Sequence, residues 1–222
     1  MRRRALLAWS SGKDGAWALH ELRSSPDWEV VGLFTTVHED RVPVHGIPRD
    51  LLLDQAAAVG LPLEMIGIPW PCPNAVYEQR VGDFARRARA NGIDGLAFGD
   101  LFLEDIRRYR EGCFGGLGLD LLFPLWSQST DRLSRRMTRE GLLAWIVAVD
   151  RARAPAEWAG RRYDAQFVDG LVGDVDPCGE NGEFHTFAFD GPMFRRPVRA
   201  QPGPAAIRDG FACIDLVSSA PC

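Results

Sequence analysis

Lysine is almost absent from this sequence. Of the 26 lysine and arginine residues among its 222 residues, only Lys13 is a lysine, which leaves 25 arginines. Arginine presents a planar fork of donors, whereas lysine is a compact point charge on a flexible stem. A tight phosphate-binding loop has room for lysine rather than arginine, so the position of Lys13 marks a candidate site.

Cysteines are few, and their spacing does not pair them. The five lie at positions 72, 113, 178, 213 and 222, and no two form a C-x-x-C pair. An odd count without paired spacing argues against a disulfide framework and against a structural zinc site. A reducing cytoplasm is therefore the compartment that we expect.

Long apolar runs and a basic excess are also missing. The apolar stretch after the basic start, residues 5–9, is too short for a signal peptide or a membrane span. The formal net charge is −4, whereas binding to nucleic acid needs a basic surface. We therefore expect neither a membrane nor a nucleic acid as a partner. Apolar residues make up 46% of the chain, which is enough for a folded core.

Apolar periodicity predicts alternating strands and helices over the first 125 or so residues. The predicted strands are 6–9, 28–36, 63–68, 96–98 and 121–125. The predicted helices between them are 16–22, 49–59, 74–91 and 103–111, with Asn74 as the cap of the third. Such alternation is typical of a parallel sheet covered by helices on both faces. The predicted fold class is therefore α/β, with a Rossmann-like parallel five-stranded sheet.

The pattern of predicted elements and the composition change after Trp126. A helix is predicted at 130–140, a strand at 145–149, a short helix at 163–171 and a final strand at 211–216. Glycine, proline and phenylalanine dominate residues 173–197. We therefore predict two domains, residues 1–129 and a smaller α+β domain of residues 130–222.

The loop after the first predicted strand carries a phosphate-binding pattern, Ser10-Ser11-Gly12-Lys13-Asp14-Gly15. Backbone N–H groups at a helix N-terminus point at a bound anion, and the helix dipole favours negative charge there. The serines can donate hydroxyls, the glycine admits a phosphate closely, the lysine neutralises charge and the aspartate offers Mg²⁺ an oxygen ligand. The loop is neither G-x-x-x-x-G-K-[ST] nor G-x-G-x-x-G. The alternative is a serine-capped helix with an exposed lysine.

Four stretches together resemble a known family. Residues 9–15 (WSSGKDG) resemble the S-G-G-x-D-S PP-loop of the adenine nucleotide alpha hydrolase superfamily. With residues 97–107 (AFGDLFLEDIR), 118–126 (GLDLLFPLW) and 178–187 (CGENGEFHTF), the sequence is similar to the diphthine–ammonia ligase family, in its short bacterial-type branch. The resemblance runs from Leu6 to about Phe194. It implies a PP-loop ATP-binding domain in residues 1–129 and an acceptor-binding domain in residues 130–222.

The same resemblance implies an ATP-dependent ligase that forms an amide. Family members of known role split ATP to AMP and pyrophosphate, activate a carboxylate as an acyl-adenylate and let ammonia attack it. Diphthamide on elongation factor 2 is their product in archaea and eukaryotes. The expected partners are therefore ATP, Mg²⁺, ammonia and an unknown carboxylate acceptor, on a small molecule or a protein side chain. For the oligomeric state, a homodimer is an open alternative.

Two residues of the loop depart from the family pattern. Ser11 stands where the pattern has its first glycine, and Gly15 stands where the family usually has serine. The missing hydroxyl removes one hydrogen bond to phosphate, about 0.5–1.5 kcal/mol. A nucleotide-binding sensor or interaction module without turnover is therefore the alternative function. The acidic charge and the absence of C-x-x-C count against a third reading, an RNA-modifying PP-loop enzyme.

Further candidate residues follow the predicted strands. Thr35 and Thr36 end the second strand, where they suit backbone contacts to adenine, although a plain strand end fits equally well. Gly99 and Asp100 follow the fourth strand, and ligands of open α/β sheets sit beyond the carboxyl ends of strands. Asp100 is thus a candidate for Mg²⁺, ribose or the acceptor. Its alternative is a helix cap.

Residues 180–186 carry a second polar cluster. Glu183 and His185 point to the same side of an extended chain, where a carboxylate and an imidazole can manage protons during amidation. The alternative is a polar strand start before Phe187 and Phe189.

The predicted sites are as follows: catalysis by Lys13, Asp14, Asp100 and Glu183; nucleotide binding by Ser10, Ser11, Gly12, Lys13, Asp14, Gly15, Thr35, Thr36 and Gly99; substrate binding by Glu180, Asn181, Glu183, His185 and Thr186; Mg²⁺ binding by Asp14 or Asp100.

Overall fold

The computed structural model describes residues 1–39, 41–42, 46–171 and 173–218. Its first sheet is parallel, and its strands are β1 (Arg3–Ala8), β2 (Trp28–Val37), β3 (Leu63–Gly67), β4 (Gly95–Ala97) and β5 (Asp120–Leu122). The connecting helices are α1 (Lys13–Arg23), α2 (Arg49–Val59), α3 (Asn74–Ala90) and α4 (Glu104–Phe114). The predicted α/β fold with a five-stranded parallel sheet is confirmed.

The strand order of this sheet, β3-β2-β1-β4-β5, reverses at β1. The chain moves from β1 to β2 on one side and later returns to β4 on the other side. At such a reversal the connections leave in opposite directions and open a crevice beyond the carboxyl ends of the two strands. The loops that follow β1 and β4 are therefore the places where this sheet offers a binding site.

The second sheet is antiparallel and is built by the rest of the chain. Its strands are β6 (Leu143–Asp150), β7 (Arg162–Tyr163), β8 (Phe184–Asp190), β9 (Ala200–Arg208) and β10 (Phe211–Ser218). Helix α5 (Thr130–Arg139) precedes it, and α6 (Ala165–Asp169) lies between β7 and β8. Strand β6 pairs with β7, β8 and β10, so it forms the centre of the sheet.

Of the two apolar clusters among the described residues, one joins the two sheets. It extends from Leu7 and Trp17 in the first sheet layer to Phe184 and Phe187 of β8. The Ala188 N–H donates to the Ser11 carbonyl at 2.9 Å, which ties β8 to the loop before α1. The predicted division between residues 129 and 130 falls at the start of α5 and stays a prediction, and this apolar cluster has members on both sides of it.

Several predicted elements differ from the structure. The helix predicted at 163–171 is the short strand β7 followed by α6, which begins where the Asp164 carboxylate accepts the Phe167 N–H at 3.0 Å. Pro73, not Asn74, occupies the N-cap of α3, and no side chain caps that helix. Strand β9 was not predicted, because its two prolines cannot donate to a ladder and are typical of edge strands.

None of the helices in the described part of the chain has both the length and the apolar composition that a bilayer crossing requires.

Candidate functional site

The predicted phosphate loop lies between the end of β1 and the start of α1. Gly12 is the N-cap of α1, with an extended backbone (φ −77°, ψ 168°) and no side-chain cap. The N–H of Lys13 donates to the Thr186 hydroxyl of β8 at 3.1 Å. The first turn of α1 therefore presents backbone N–H groups at the crevice, with β8 packed against one side of it.

This turn borders a polar cavity of about 330 Å³. We call it the phosphate cavity, and its lining comprises Ala8, Ser10, Gly12, Lys13, Asp14, Gly15, Gly99, Asp100, Arg110, Cys178, Gly179, Glu180, Gly182, Phe184, His185 and Thr186. The loop, the end of β4 and the segment before β8 thus meet at one place. Most of the residues predicted separately along the sequence are brought together here.

Lys13 is held by its own loop and by the second sheet layer. Its side chain is only 2% exposed. The ammonium donates to Asp14 Oδ2 at 2.8 Å and to the Cys178 carbonyl, and it lies 5.4 Å from the Tyr163 ring centroid. Burial alone would lower the pKa of Lys13, but the Asp14 charge and further acidic neighbours outweigh it and raise that pKa. Lys13 is therefore a charged group at the wall of the cavity.

One carboxylate oxygen in the loop suits a magnesium ion. Asp14 Oδ1 is buried and has no hydrogen-bond partner among the described residues, and Mg²⁺ prefers oxygen ligands. In the ranges that the structure describes, no three His, Cys, Asp or Glu side chains are grouped to hold a metal. Mg²⁺ commonly takes one or two carboxylates and completes its shell with phosphates and water. Asp14 fits that mode.

Asp100 forms an ion pair with Arg110. Its Oδ1 accepts from Arg110 Nη2 at 2.9 Å, and its Oδ2 accepts from Arg110 Nε. A bidentate pair of this kind occupies both carboxylate oxygens. The Mg²⁺ ligand role predicted for Asp100 would require this pair to open, so Asp14 is the better placed of the two predicted ligands.

A larger, more apolar cavity of about 520 Å³ adjoins the phosphate cavity. We call it the apolar cavity, and its lining comprises Ala8, Trp9, Ser10, Phe34, Thr35, Thr36, Val42, Tyr77, Val81, Phe98, Ile106, Arg110 and His185. Thr35 and Thr36 lie here, as their predicted contact with adenine requires. The two cavities share Ala8, Ser10, Arg110 and His185, so one extended ligand can occupy both.

Glu180, from the segment before β8, and His185, from β8 itself, line the phosphate cavity. Glu180 accepts the Leu101 N–H at 2.8 Å, and burial raises the pKa of Glu180 to about 7. Burial, helped by the Lys13 charge, lowers the pKa of His185 to about 4. Near neutral pH the site therefore holds a neutral imidazole and a carboxyl group poised to exchange a proton.

Glu183 and Asn181 do not line the phosphate cavity. Glu183 Oε1 accepts from the Asp176 N–H at 3.0 Å and from Asn181 Nδ2 at 3.1 Å. Both residues border a separate cavity, together with Arg153. Glu183 and His185 border different cavities, because β8 begins at Phe184 and the alternation of an extended strand does not reach Glu183. Within the segment before β8, Glu180 is the residue whose carboxyl group lines the phosphate cavity.

Two glycines fix how closely the loop packs. A Cβ at Gly99 would lie 2.8 Å from the Gly15 nitrogen, so only glycine lets the end of β4 approach the loop this closely. A Cβ at Gly15 would lie 3.5 Å from the Ala8 carbonyl oxygen, which is an ordinary contact. The serine expected at position 15 from the family pattern would therefore fit without a clash.

Sequence reasoning missed Gln55 of α2. It is fully buried and joins three groups: its Oε1 accepts the Trp9 indole N–H at 2.9 Å, and its Nε2 donates to the carbonyls of Ser11 and Ala188. The amide therefore ties the phosphate loop to both α2 and β8. The signal available in the sequence was a lone glutamine among the apolar residues of α2.

Known proteins resemble parts of the chain. A family model described as the diphthamide synthase C-terminal domain matches residues 129–209, which include the segment beside the phosphate loop. The chain is also 30% identical over 129 residues to the diphthine–ammonia ligase of Homo sapiens. Over these parts the chain is similar to the diphthine–ammonia ligase family. The resemblance predicted from the four sequence motifs is thereby confirmed.

The relatives of this family are matched only in part. The alignment with the human protein covers 54% of this chain and 48% of that one, and the Rattus norvegicus diphthine–ammonia ligase is 29% identical with the same coverage. The chain thus spans about half the length of the curated relatives it matches. Among solved structures, the U34-tRNA thiolase NcsA from Methanococcus maripaludis, with its 4Fe-4S cluster, is similar over 57% of this chain and 52% of that chain, at 14% identity and a TM-score of 0.36.

Proposed function

We propose that the protein is an ATP-dependent ligase that forms an amide through an acyl-adenylate. One observation carries the proposal: the first turn of α1, with Lys13 and Asp14, borders a polar cavity that adjoins an apolar one. The polar cavity suits a triphosphate, and the apolar cavity suits adenosine. Similarity to the diphthine–ammonia ligase family supports the same assignment.

The phosphate loop would hold the β- and γ-phosphates. Backbone N–H groups of the first turn and the α1 dipole favour the negative charge, and the Lys13 ammonium adds a full positive charge. To reach a phosphate, that ammonium exchanges the Cys178 carbonyl for a phosphate oxygen. Asp14 Oδ1 would ligate Mg²⁺, which neutralises phosphate charge when it is bound.

The proposed reaction has two steps. An oxygen of the acceptor carboxylate attacks the α-phosphorus, the bond from that phosphorus to the bridging oxygen breaks, and pyrophosphate leaves with the electron pair. The helix N-terminus stabilises the charge on this leaving group. Ammonia then attacks the acyl carbon, AMP leaves, and one proton is released. Glu180 lines the cavity and has a pKa of about 7, which suits it to accept that proton.

Product analysis tests the proposal. The protein is incubated with ATP, Mg²⁺, ammonium and a panel of small carboxylates and carboxylate-bearing peptides, and the nucleotides are separated. AMP and pyrophosphate in equal amounts are expected, and Lys13→Met gives the background rate. ADP with inorganic phosphate would refute the adenylate chemistry.

A second function is a nucleotide-binding module without turnover. The observation that favours it is the engaged state of Lys13, whose ammonium is bound by Asp14 and the Cys178 carbonyl. Gly15 also lacks the hydroxyl that the family pattern places there. Saturable ATP binding with no AMP formed across the whole panel would favour this function over the ligase.

A further inference from the structure

Arg110 of α4 lies where the two cavities meet. Four residues line both the phosphate cavity and the apolar cavity, namely Ala8, Ser10, Arg110 and His185. Among these four, the positive charge belongs to Arg110, since the lowered pKa of His185 leaves its imidazole neutral near pH 7. The junction thus presents a guanidinium between a polar and an apolar cavity.

The guanidinium is held in position from two sides. Asp100 accepts from its Nε and, at 2.9 Å, from its Nη2, and the guanidinium carbon lies 4.4 Å from the Phe98 ring centroid. Phe98 and Asp100 both follow β4, so the group is fixed relative to the sheet rather than swinging on α4. The pair uses the Nε–H and one Nη2–H, and the Tyr77 hydroxyl hydrogen-bonds to the guanidinium as well, which leaves two of its five N–H groups for a phosphate oxygen.

We propose that Arg110 binds the α-phosphate of the nucleotide and acts as a catalytic residue of the adenylation step, an inference that rests on the proposed function. A nucleotide with its terminal phosphates at the loop and its base in the apolar cavity has its α-phosphate at the junction. The nonbridging α-phosphate oxygens carry charge while the acceptor attacks and pyrophosphate leaves. A fixed guanidinium beside them stabilises that charge.

Under this assignment the two cations contact different phosphates of the nucleotide. Lys13 belongs to the loop and would contact the β- and γ-phosphates, whereas Arg110 would contact the α-phosphate. AMP has only the α-phosphate, and adenosine has none. Binding of ATP, AMP and adenosine therefore reports on each cation separately.

The test is calorimetric titration of the full chain with ATP, AMP and adenosine. Arg110→Met is expected to weaken both AMP and ATP by roughly tenfold to a hundredfold, the effect of one charged hydrogen bond, while adenosine binding changes by less than about twofold. Arg107→Met is the matched control on the same helix, because Arg107 pairs with Glu111 and lies over Trp126 outside both cavities. It should leave all three affinities unchanged.

Arg110→Lys guards against a folding defect, since lysine can keep an ion pair with Asp100 but lacks the planar fork. We expect it to fold like the parent and to lose several-fold in AMP affinity. Equal losses for adenosine and AMP in either variant would overturn the inference, as would AMP affinity unaltered by Arg110→Met. A parent protein that binds none of the three ligands would overturn the proposed function itself.

Discussion

Replacing Gln55 by leucine should destabilise the fold at the phosphate loop. Gln55 accepts the Trp9 indole N–H at 2.9 Å and donates to the carbonyls of Ser11 and Ala188 at 3.0 and 2.6 Å. The Ser11 carbonyl keeps a second bond, from the Ala188 N–H at 2.9 Å. The change therefore removes the hydrogen bonds that Gln55 makes with two further buried groups, the Trp9 indole and the Ala188 carbonyl. At about 1–3 kcal/mol for each, we expect a loss of roughly 2–6 kcal/mol.

Urea unfolding of the parent and of two variants measures this loss. Gln128→Leu is the control, because Gln128 is only partly buried and donates one hydrogen bond, to the Pro124 carbonyl at 3.1 Å. It should cost about 1 kcal/mol. We also expect Gln55→Leu to weaken ATP binding, since the loop loses its tie to α2. A cost for Gln55→Leu no larger than that for Gln128→Leu would refute the role given to this amide.

Three further changes probe the site. Ser11 has a left-handed backbone (φ 72°), which disfavours non-glycine residues by about 1–2 kcal/mol, so Ser11→Gly should raise the free energy of unfolding by about 1 kcal/mol; a decrease would contradict this. Gly15→Ser should tighten ATP binding roughly twofold to tenfold by calorimetry, since the side chain fits and its hydroxyl can donate to phosphate; unchanged affinity would count against phosphate at this position. The pKa of Glu180 is raised to about 7, so its carboxyl gains negative charge as pH rises through 7 and repels phosphate. ATP affinity of the parent relative to Glu180→Gln should therefore fall between pH 6 and 8, and a flat ratio would show that Glu180 does not face the phosphates.

Local sequence signals predicted the parallel sheet well. Helix α2 has the predicted bounds, because its end is set by Gly60, whose left-handed backbone (φ 72°) terminates the helix. Strand β9 is different, since its two prolines oppose a strand and only pairing with β10 makes it one. The helix predicted at 163–171 failed for a similar reason: Tyr163 pairs with Ala144 of β6, a contact that no local pattern reveals.

The candidate site was likewise predicted only in part. The loop from Ser10 to Gly15 was recognisable because its chemistry is contiguous in the sequence. Gln55 was not, since its partners Trp9 and Ala188 lie 46 and 133 positions away. Arg110 was not among the predicted site residues, because its contacts with Phe98 and Asp100 arise only in the fold.

A crystal structure with Mg²⁺ and a nonhydrolysable ATP analogue tests the central claim most directly. We predict the β- and γ-phosphates on the N–H groups of residues 12–15, the Lys13 ammonium moved from the Cys178 carbonyl to a phosphate oxygen, and adenine beside Thr35 and Thr36. A nucleotide bound outside the two cavities would contradict the account, as would crystals and calorimetry that both show no uptake of the analogue.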